Sequence, residues 1–224
     1  VIVFDPAEHS PGKSQGMLSS LIVPRPIAMV STANADGLVN VAPFSYYMPV
    51  TGSPPLLAVT IGGRREGDGT PKHTWENLNR TGDFVINVTT ESMSDHIEVA
   101  AIEFPGHVSE SEVVGWHAIP SQRVEAPSIA ESPAHLECRL RKVVDFGDDE
   151  VHYSTVHLVV AEVVCIVLDE SVCSPDLKID QAALQPIGRM ALPYFTAASD
   201  ALFGLERISY EEHLESGVLP GRVS

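Results

Sequence analysis

Residues 25–45 read RPIAMVSTANADGLVNVAPFS, and this stretch decides the fold of the chain. Pro24 and Pro26 push the backbone into extended geometry just ahead of the apolar run Ile27–Thr32. Asn34-Ala-Asp36-Gly37 supplies turn chemistry, with Gly37 able to take a positive φ, and Val39–Phe44 then resumes an extended run. The pair predicts a hairpin with a loop of about five residues. Pro43 lies inside the second run. It has no N–H to donate to a ladder, so that run must sit at a sheet edge, a bulge or a strand end.

Working outward, Leu56–Ile61 and Phe84–Val88 are apolar runs of strand length. Ala134–Phe146 and Val156–Leu168 are longer, and the acidic Gly147-Asp-Asp-Glu150 between them predicts another hairpin loop. At least six strands with mostly local connections favour a barrel over alternating βαβ units. Helical signals are few and short. Thr74–Arg80 has Thr74 as N-cap and Gly82 as stop; Ser92–Ala101 has Ser92 as cap with Asp95 three residues on; Asp200–Leu214 suggests a C-terminal helix. Pro120–Pro133, with three prolines, is either an ordered connection or an exposed arm. With no internal repeat and no low-complexity tract, residues 1–224 are expected to form one mainly β domain.

The charge balance narrows the partners. Thirty acidic residues against 14 basic ones give a formal net charge of −16, which repels nucleic-acid backbones and anionic membrane surfaces. The N-terminus VIVFDPAEHS lacks the basic and apolar blocks of a signal peptide. The longest apolar stretch, Val156–Leu168, is broken by His157 and Glu162 and is shorter than the ~20 residues of a membrane helix. Cys138, Cys165 and Cys173 are odd in number and lack CxxC spacing, which reads as reduced thiols. The expectation is a soluble, cytoplasmic protein. No GxGxxG, GxxxxGK[ST] or GxSxG motif is present. The nine histidines are scattered, and His135 and Cys138 would share a face only on a helix, so no metal site is expected.

Two features remain. The extended runs end in small hydroxyl residues: Ser31 and Thr32 on one, Ser45 just past the other. Small Ala42 beside the Pro43 kink would let a flat ring approach the backbone, with Asn40 and Ser45 offering hydrogen bonds. The alternative is a kinked edge strand whose hydroxyls face water. The second feature is Arg64-Arg65-Glu66-Gly67-Asp68-Gly69-Thr70-Pro71-Lys72-His73-Thr74, immediately before a short helix. Gly-rich backbone, three cations and a helix N-terminus together suit a phosphate; a solvated loop is the other reading.

At these residues the chain resembles the flavin reductase-like family. The resemblance is carried by Pro24–Thr32, by Asp36-Gly37-x-x-Asn40-x-Ala-Pro-Phe-Ser45 and by Lys72-x-Thr74-x-x-Asn77. It continues in Gly82-x-Phe-Val-x-Asn87, Pro133-x-x-Leu-Glu-Cys138, and Gly188-Arg189 followed by Tyr194. It implies an FMN-binding split β-barrel with a few short peripheral helices, paired as a homodimer. It further implies that Ser31, Thr32 and the backbone of Ala42, Pro43, Phe44 and Ser45 line the isoalloxazine and ribityl chain. Ser45, Lys72 and Thr74 would hold the phosphate, with Asn40, Arg65 and His73 in the same cofactor-binding set. Arg189 would lie close to the flavin, from the same subunit or its partner. The implied activity is an NAD(P)H-dependent flavin reductase that passes electrons to free flavin, a monooxygenase component or a small substrate. An FMN electron carrier that uses no nicotinamide is the alternative. No separate catalytic acid or base is required, since the flavin carries the redox chemistry. The chain departs from the family at His73, where an acidic residue is common, in the long Gly62–Pro71 loop, and at Met190-Ala-Leu-Pro193, where glycine is frequent. Residues 195–224 match no motif and read as a C-terminal extension.

Overall fold

Asn34 builds the first hairpin: its Oδ1 accepts from the backbone N–H of Asp36 and Leu38 at 2.9 and 2.8 Å, while Gly37 takes φ 84°. The computed structural model describes residues 1–63, 65, 69–146, 156–205, 207, 209–216, 222 and 223. Its strands in chain order are β1 (Arg25–Pro26), β2 (Ala28–Ala33), β3 (Val39–Phe44), β4 (Tyr47–Gly52), β5 (Pro55–Gly62) and β6 (Asp83–Val88). They continue with β7 (Ala118–Ile119), β8 (Ser128–Ile129), β9 (Ala134–Phe146), β10 (Val156–Leu168), β11 (Ile187–Arg189) and β12 (Phe195–Ala197), and end with the short pair β13 (Gly204–Leu205) and β14 (Arg222–Val223). The helices α1 (Pro11–Leu21), α2 (His73–Thr81), α3 (Ile97–Ala100) and α4 (Glu110–Val114) lie around them.

Seven strands form one antiparallel sheet in the order β3-β2-β6-β9-β10-β5-β4. Its two edges, β3 and β4, are consecutive in sequence and joined by Ser45 and Tyr46, so the sheet curls back toward itself. Thr60 N donates to Tyr46 O at 2.8 Å and holds that link against β5. Each edge carries a proline, Pro43 on β3 and Pro49 on β4, as a residue without an N–H requires. A second sheet, β1-β11-β12, takes in Phe195–Ala197, the first residues of the expected extension.

Strand β2 is buried on both faces, which explains its continuous apolar run. Ala28 and Val30 point into the barrel with Val59, Ile61, Phe84, Ile86 and Val159, and Leu78 of α2 joins them. Met29 turns the other way, with Ile27 beside it, and packs with Val41, Ile97, Val114 and Trp116 under α3 and α4.

Several expectations need adjusting. Strand β4 was not anticipated, because Pro49 and Gly52 break its pattern and most of it is exposed. The N-cap of α2 is Lys72, with Thr74 inside the first turn, although Gly82 ends the helix in the left-handed region as expected. Ser92–Ala101 is a 3-10 turn (Glu91–His96) followed by α3, and Thr90 occupies the cap position. Helix α1 was missed because it buries nothing; Ser10 Oγ caps it by accepting from Lys13 N at 3.4 Å. In the tail, Gly204–Leu205 is extended and helix begins only at Tyr210. The 147–150 loop lies outside the described residues, but β9 and β10 pair from Val156↔Phe146 onward.

The Pro120–Pro133 segment is an ordered connection, stapled down by buried side chains. Glu137, fully buried, accepts from Gln122 N and Arg123 N, both at 2.7 Å. Asp83 Oδ2 accepts from Glu125 N, Asn87 Oδ1 accepts from Ile129 N, and Ser31 Oγ donates to Pro127 O. Glu137→Ala would strand two amides, each costing ~1–3 kcal/mol when left unsatisfied. A loss of about 3 kcal/mol in urea unfolding is expected. An unchanged midpoint would show that water or a shifted loop takes the carboxylate's place.

Candidate functional site

Four residues of β3 and four from the β5–α2 loop and α2 meet at one cleft of about 200 Å³. Asn40, Ala42, Pro43 and Phe44 form one wall, and Arg65, Lys72, His73 and Thr74 another. The convergence follows from the sheet edge. No strand lies beyond β3; Ser109 Oγ donates to Val39 O and Glu110 Oε2 accepts from Val41 N along that edge, and α2 packs against β2 and β3.

A buried polar seam sets the position of α2. Asn40 Nδ2 donates to Thr74 Oγ1 at 2.9 Å, and Asn77 Nδ2 donates to Thr32 Oγ1 at 3.1 Å. Thr32 therefore stands behind the wall, not on it. Ser31 is likewise fully buried: its Oγ accepts from Asn87 Nδ2 at 2.9 Å and donates to Pro127 O. The structure gives these two hydroxyls the task of holding the wall in place.

The wall opposite β3 was not legible from the sequence. It consists of residues 100–104, with Glu110 at the start of α4. No motif marks these residues; Glu110 stands in an acidic run whose Glu112 is exposed. Arg65 ties this wall to α2: Nη2 donates to the carbonyls of Glu103 and Phe104 at 3.1 and 3.0 Å, and Nη1 lies 3.2 Å from His73 Nε2. Lys72 Nζ pairs with Glu103 Oε1 at 3.3 Å. Gly106 permits the close packing of His73, whose Nε2 a Cβ there would meet at 3.2 Å.

Ser45 and Arg189 are placed elsewhere, at an adjoining cleft of about 290 Å³ that shares Pro43 and Ala101 with the first. β3 ends at Phe44 and the chain turns toward β4, which carries Ser45 away from Lys72 and Thr74. There Arg25, which is buried, reaches Ser45 Oγ through Nε at 3.4 Å. Arg189 pairs with Glu98 and stacks on Phe195, 4.3 Å from the ring centroid.

Chemically the first cleft suits an anion. Arg65, Lys72 and His73 line it, and α2 opens onto it with no side-chain cap, leaving its first-turn amides and positive dipole end available. Beside these lie the apolar atoms of Ala42–Phe44, and the adjoining cleft adds Phe195. A phosphate joined to a flat apolar ring fits such a set, and the two clefts together reach the ~300–1,000 Å³ typical of small-molecule sites. Among the described residues no group of three or more His, Cys, Asp or Glu could hold a metal ion. No helix among them is long and apolar enough to cross a membrane.

Comparison with known proteins agrees with this geometry. Residues 19–186 match the flavin reductase like domain family, and the chain belongs to that family. An uncharacterised protein of Halalkalibacterium halodurans is 36% identical over 188 residues, 84% of this chain and 88% of the relative. The crystal structure of nitrilotriacetate monooxygenase component B from Bacillus cereus is 27% identical with a TM-score of 0.81, covering 90% of this chain and 98% of that one. The Pseudomonas fluorescens 2-nitrobenzoate 2-nitroreductase is 25% identical with a TM-score of 0.82, covering 93% and 98%.

Glu110 is the cleft's buried acid. Burial pushes its carboxyl above the usual carboxylate range, against hydrogen bonds from its own backbone and from Val41 N (3.2 Å) and the charge of Arg65. A carboxyl with a raised folded pKa binds its proton more tightly folded than unfolded. Stability is therefore highest below the ordinary value, falls as pH rises through the raised one, and stays lower above it. Glu110→Gln should remove that loss, so its urea midpoint relative to the parent should rise between about pH 4 and about pH 8. A pH-independent difference would mean that Glu110 does not titrate in this window.

Proposed function

We propose that this chain binds FMN and acts as an NAD(P)H-dependent flavin reductase, working as a homodimer. The observation that carries the reading is the meeting of Ala42–Phe44 with Arg65, Lys72, His73 and Thr74 around one cleft. Lys72, Thr74 and the uncapped start of α2 would hold the phosphate, with Arg65 adding charge and the His73 ring lying beside it. The β3 edge would receive the ring against Ala42 and Pro43, where a strand without an N–H at Pro43 leaves room for close approach. Bound FMN supplies the two-electron chemistry, taking reducing equivalents from a nicotinamide and giving them to an acceptor. The protein's share is to bind, orient and keep water from the ring. The likeness to a monooxygenase component B supports delivery of reduced flavin to a monooxygenase, and the likeness to a nitroreductase supports direct reduction of a small substrate.

The homodimer is supported by an apolar surface that no described segment covers. Helix α1 buries none of its residues, and its Leu18, Leu21 and the following Ile22 are more than half exposed. Leu18 and Ile22 face Tyr46 and Met48 across a mostly apolar cleft of about 370 Å³, with Arg25 and Ser45 at its floor. A second copy seated there would close the adjoining cleft at Ser45 from outside.

Anaerobic stopped-flow mixing of the FMN-loaded protein with NADH and NADPH tests the enzymatic reading. Bleaching of the flavin absorbance within seconds by at least one of them is expected. Inertness toward both, with reduction by dithionite intact, would favour the electron carrier. For the dimer, the double substitution of Leu21→Glu and Met48→Glu is expected to convert the species seen by sedimentation velocity from dimer to monomer. A parent protein that already sediments as a monomer at micromolar concentration would refute the pairing.

A further inference from the structure

We infer that Glu103 sets how tightly the cleft holds a flavin phosphate, by competing with that phosphate for Lys72. The inference rests on the FMN reading above and goes beyond it to the strength and lifetime of binding.

The charges on the cleft are nearly balanced before any ligand is considered. Arg65, Lys72 and His73 line the cleft together with Glu103 and Glu110. Glu103 reaches directly into the cation set: its Oε1 is 3.3 Å from Lys72 Nζ, while its backbone carbonyl accepts from Arg65 Nη2. One short segment thus presents a carboxylate to Lys72 and, with Phe104, two carbonyl oxygens to Arg65. These are the contacts a phosphate would seek.

The side chains of Lys72 and Glu103 are 35% and 26% exposed. The pair is neither so solvated that screening erases it nor so buried that it could not open. A phosphate oxygen that approaches Lys72 must either displace the Glu103 carboxylate or sit beside it at a few ångströms, and both lower its affinity. Among the described residues lining the cleft, Arg65 and Lys72 are the Lys and Arg side chains, and Glu103 and Glu110 are the acids beside them. A flavin held in this way exchanges readily. That suits a protein for which flavin is a substrate picked up, reduced and released, more than one that keeps it as a resident group.

The test titrates the full-length wild type, Glu103→Gln and Glu103→Met with FMN and with riboflavin, following flavin fluorescence. Riboflavin lacks the phosphate and reports whether the ring's side of the cleft is intact. Both substitutions are expected to tighten FMN about five-fold and to leave riboflavin unchanged. In a Lys72→Gln background the gain should shrink to less than about two-fold, because the contested partner is gone. An FMN-to-riboflavin affinity ratio that does not move in either Glu103 variant overturns the inference, as does a gain undiminished without Lys72. Wild type that binds FMN while the ratio stays fixed sinks only the role of Glu103. Wild type that binds neither flavin sinks the FMN reading and this inference with it.

Discussion

The hydrogen bond from Asn40 to Thr74 joins the open edge of the sheet to the start of α2, and the cleft depends on it. Both residues are buried, so the bond forms where an unpaired amide or hydroxyl would be costly. Thr32 extends the seam by accepting from Asn77 one helical turn further on, which fixes the helix in rotation as well as position. Lys72, His73 and Thr74 then reach the cleft from one rigid turn, opposite a strand whose own register is set by pairing Val30↔Ala42 and Met29↔Pro43. A site assembled from elements so fastened needs little rearrangement to receive a ligand.

The parts legible in the sequence are those in which local chemistry and tertiary context agree. Asn34 and Gly37 specify their turn through their own side chain and φ, and Pro43 forbids any place but a sheet edge; the structure has both. β9 and β10 keep the predicted bounds: β10 is rich in Val and Ile, and β9 pairs with it from Ala134 to Phe146. Where the two diverge, the deciding partner is distant in sequence. Ser31 looks like an exposed hydroxyl at a strand end, yet Asn87 and Pro127 bury it from opposite sides. α1 carries no clear amphipathic signature, and none of its residues is buried among the described ones.

The far wall of the cleft was hidden for a related reason. Residues 100–104 and Glu110 come from short connections around α3 and α4, and they reach the site only because Ile97, Ala100 and Val114 dock on the outer face of β2 and β3. The same alternation that puts Ala28 and Val30 inside the barrel exposes Met29 and Val41 to this second layer. The outer core is thus what brings acids to the cleft. No pattern of catalytic residues announces such a wall, since its members are chosen by packing at one end and by charge at the other.

That origin bears on how an acidic chain can take an anionic ligand at all. At a net charge of −16 the long-range field opposes an approaching phosphate, so capture rests on contacts made within a few ångströms. Arg65, Lys72, His73 and the dipole of α2 provide those contacts, while Glu103 and Glu110 limit them. Burial raises the pKa of the Glu110 carboxyl above the usual carboxylate range, against the opposing pull of two backbone hydrogen bonds and of Arg65. Glu103, part-exposed and paired with Lys72, remains the acid whose charge the ligand must meet. The cleft is therefore electrostatically permissive at short range and reluctant at long range, a combination that favours a ligand with a large apolar ring to add to its phosphate over a bare anion.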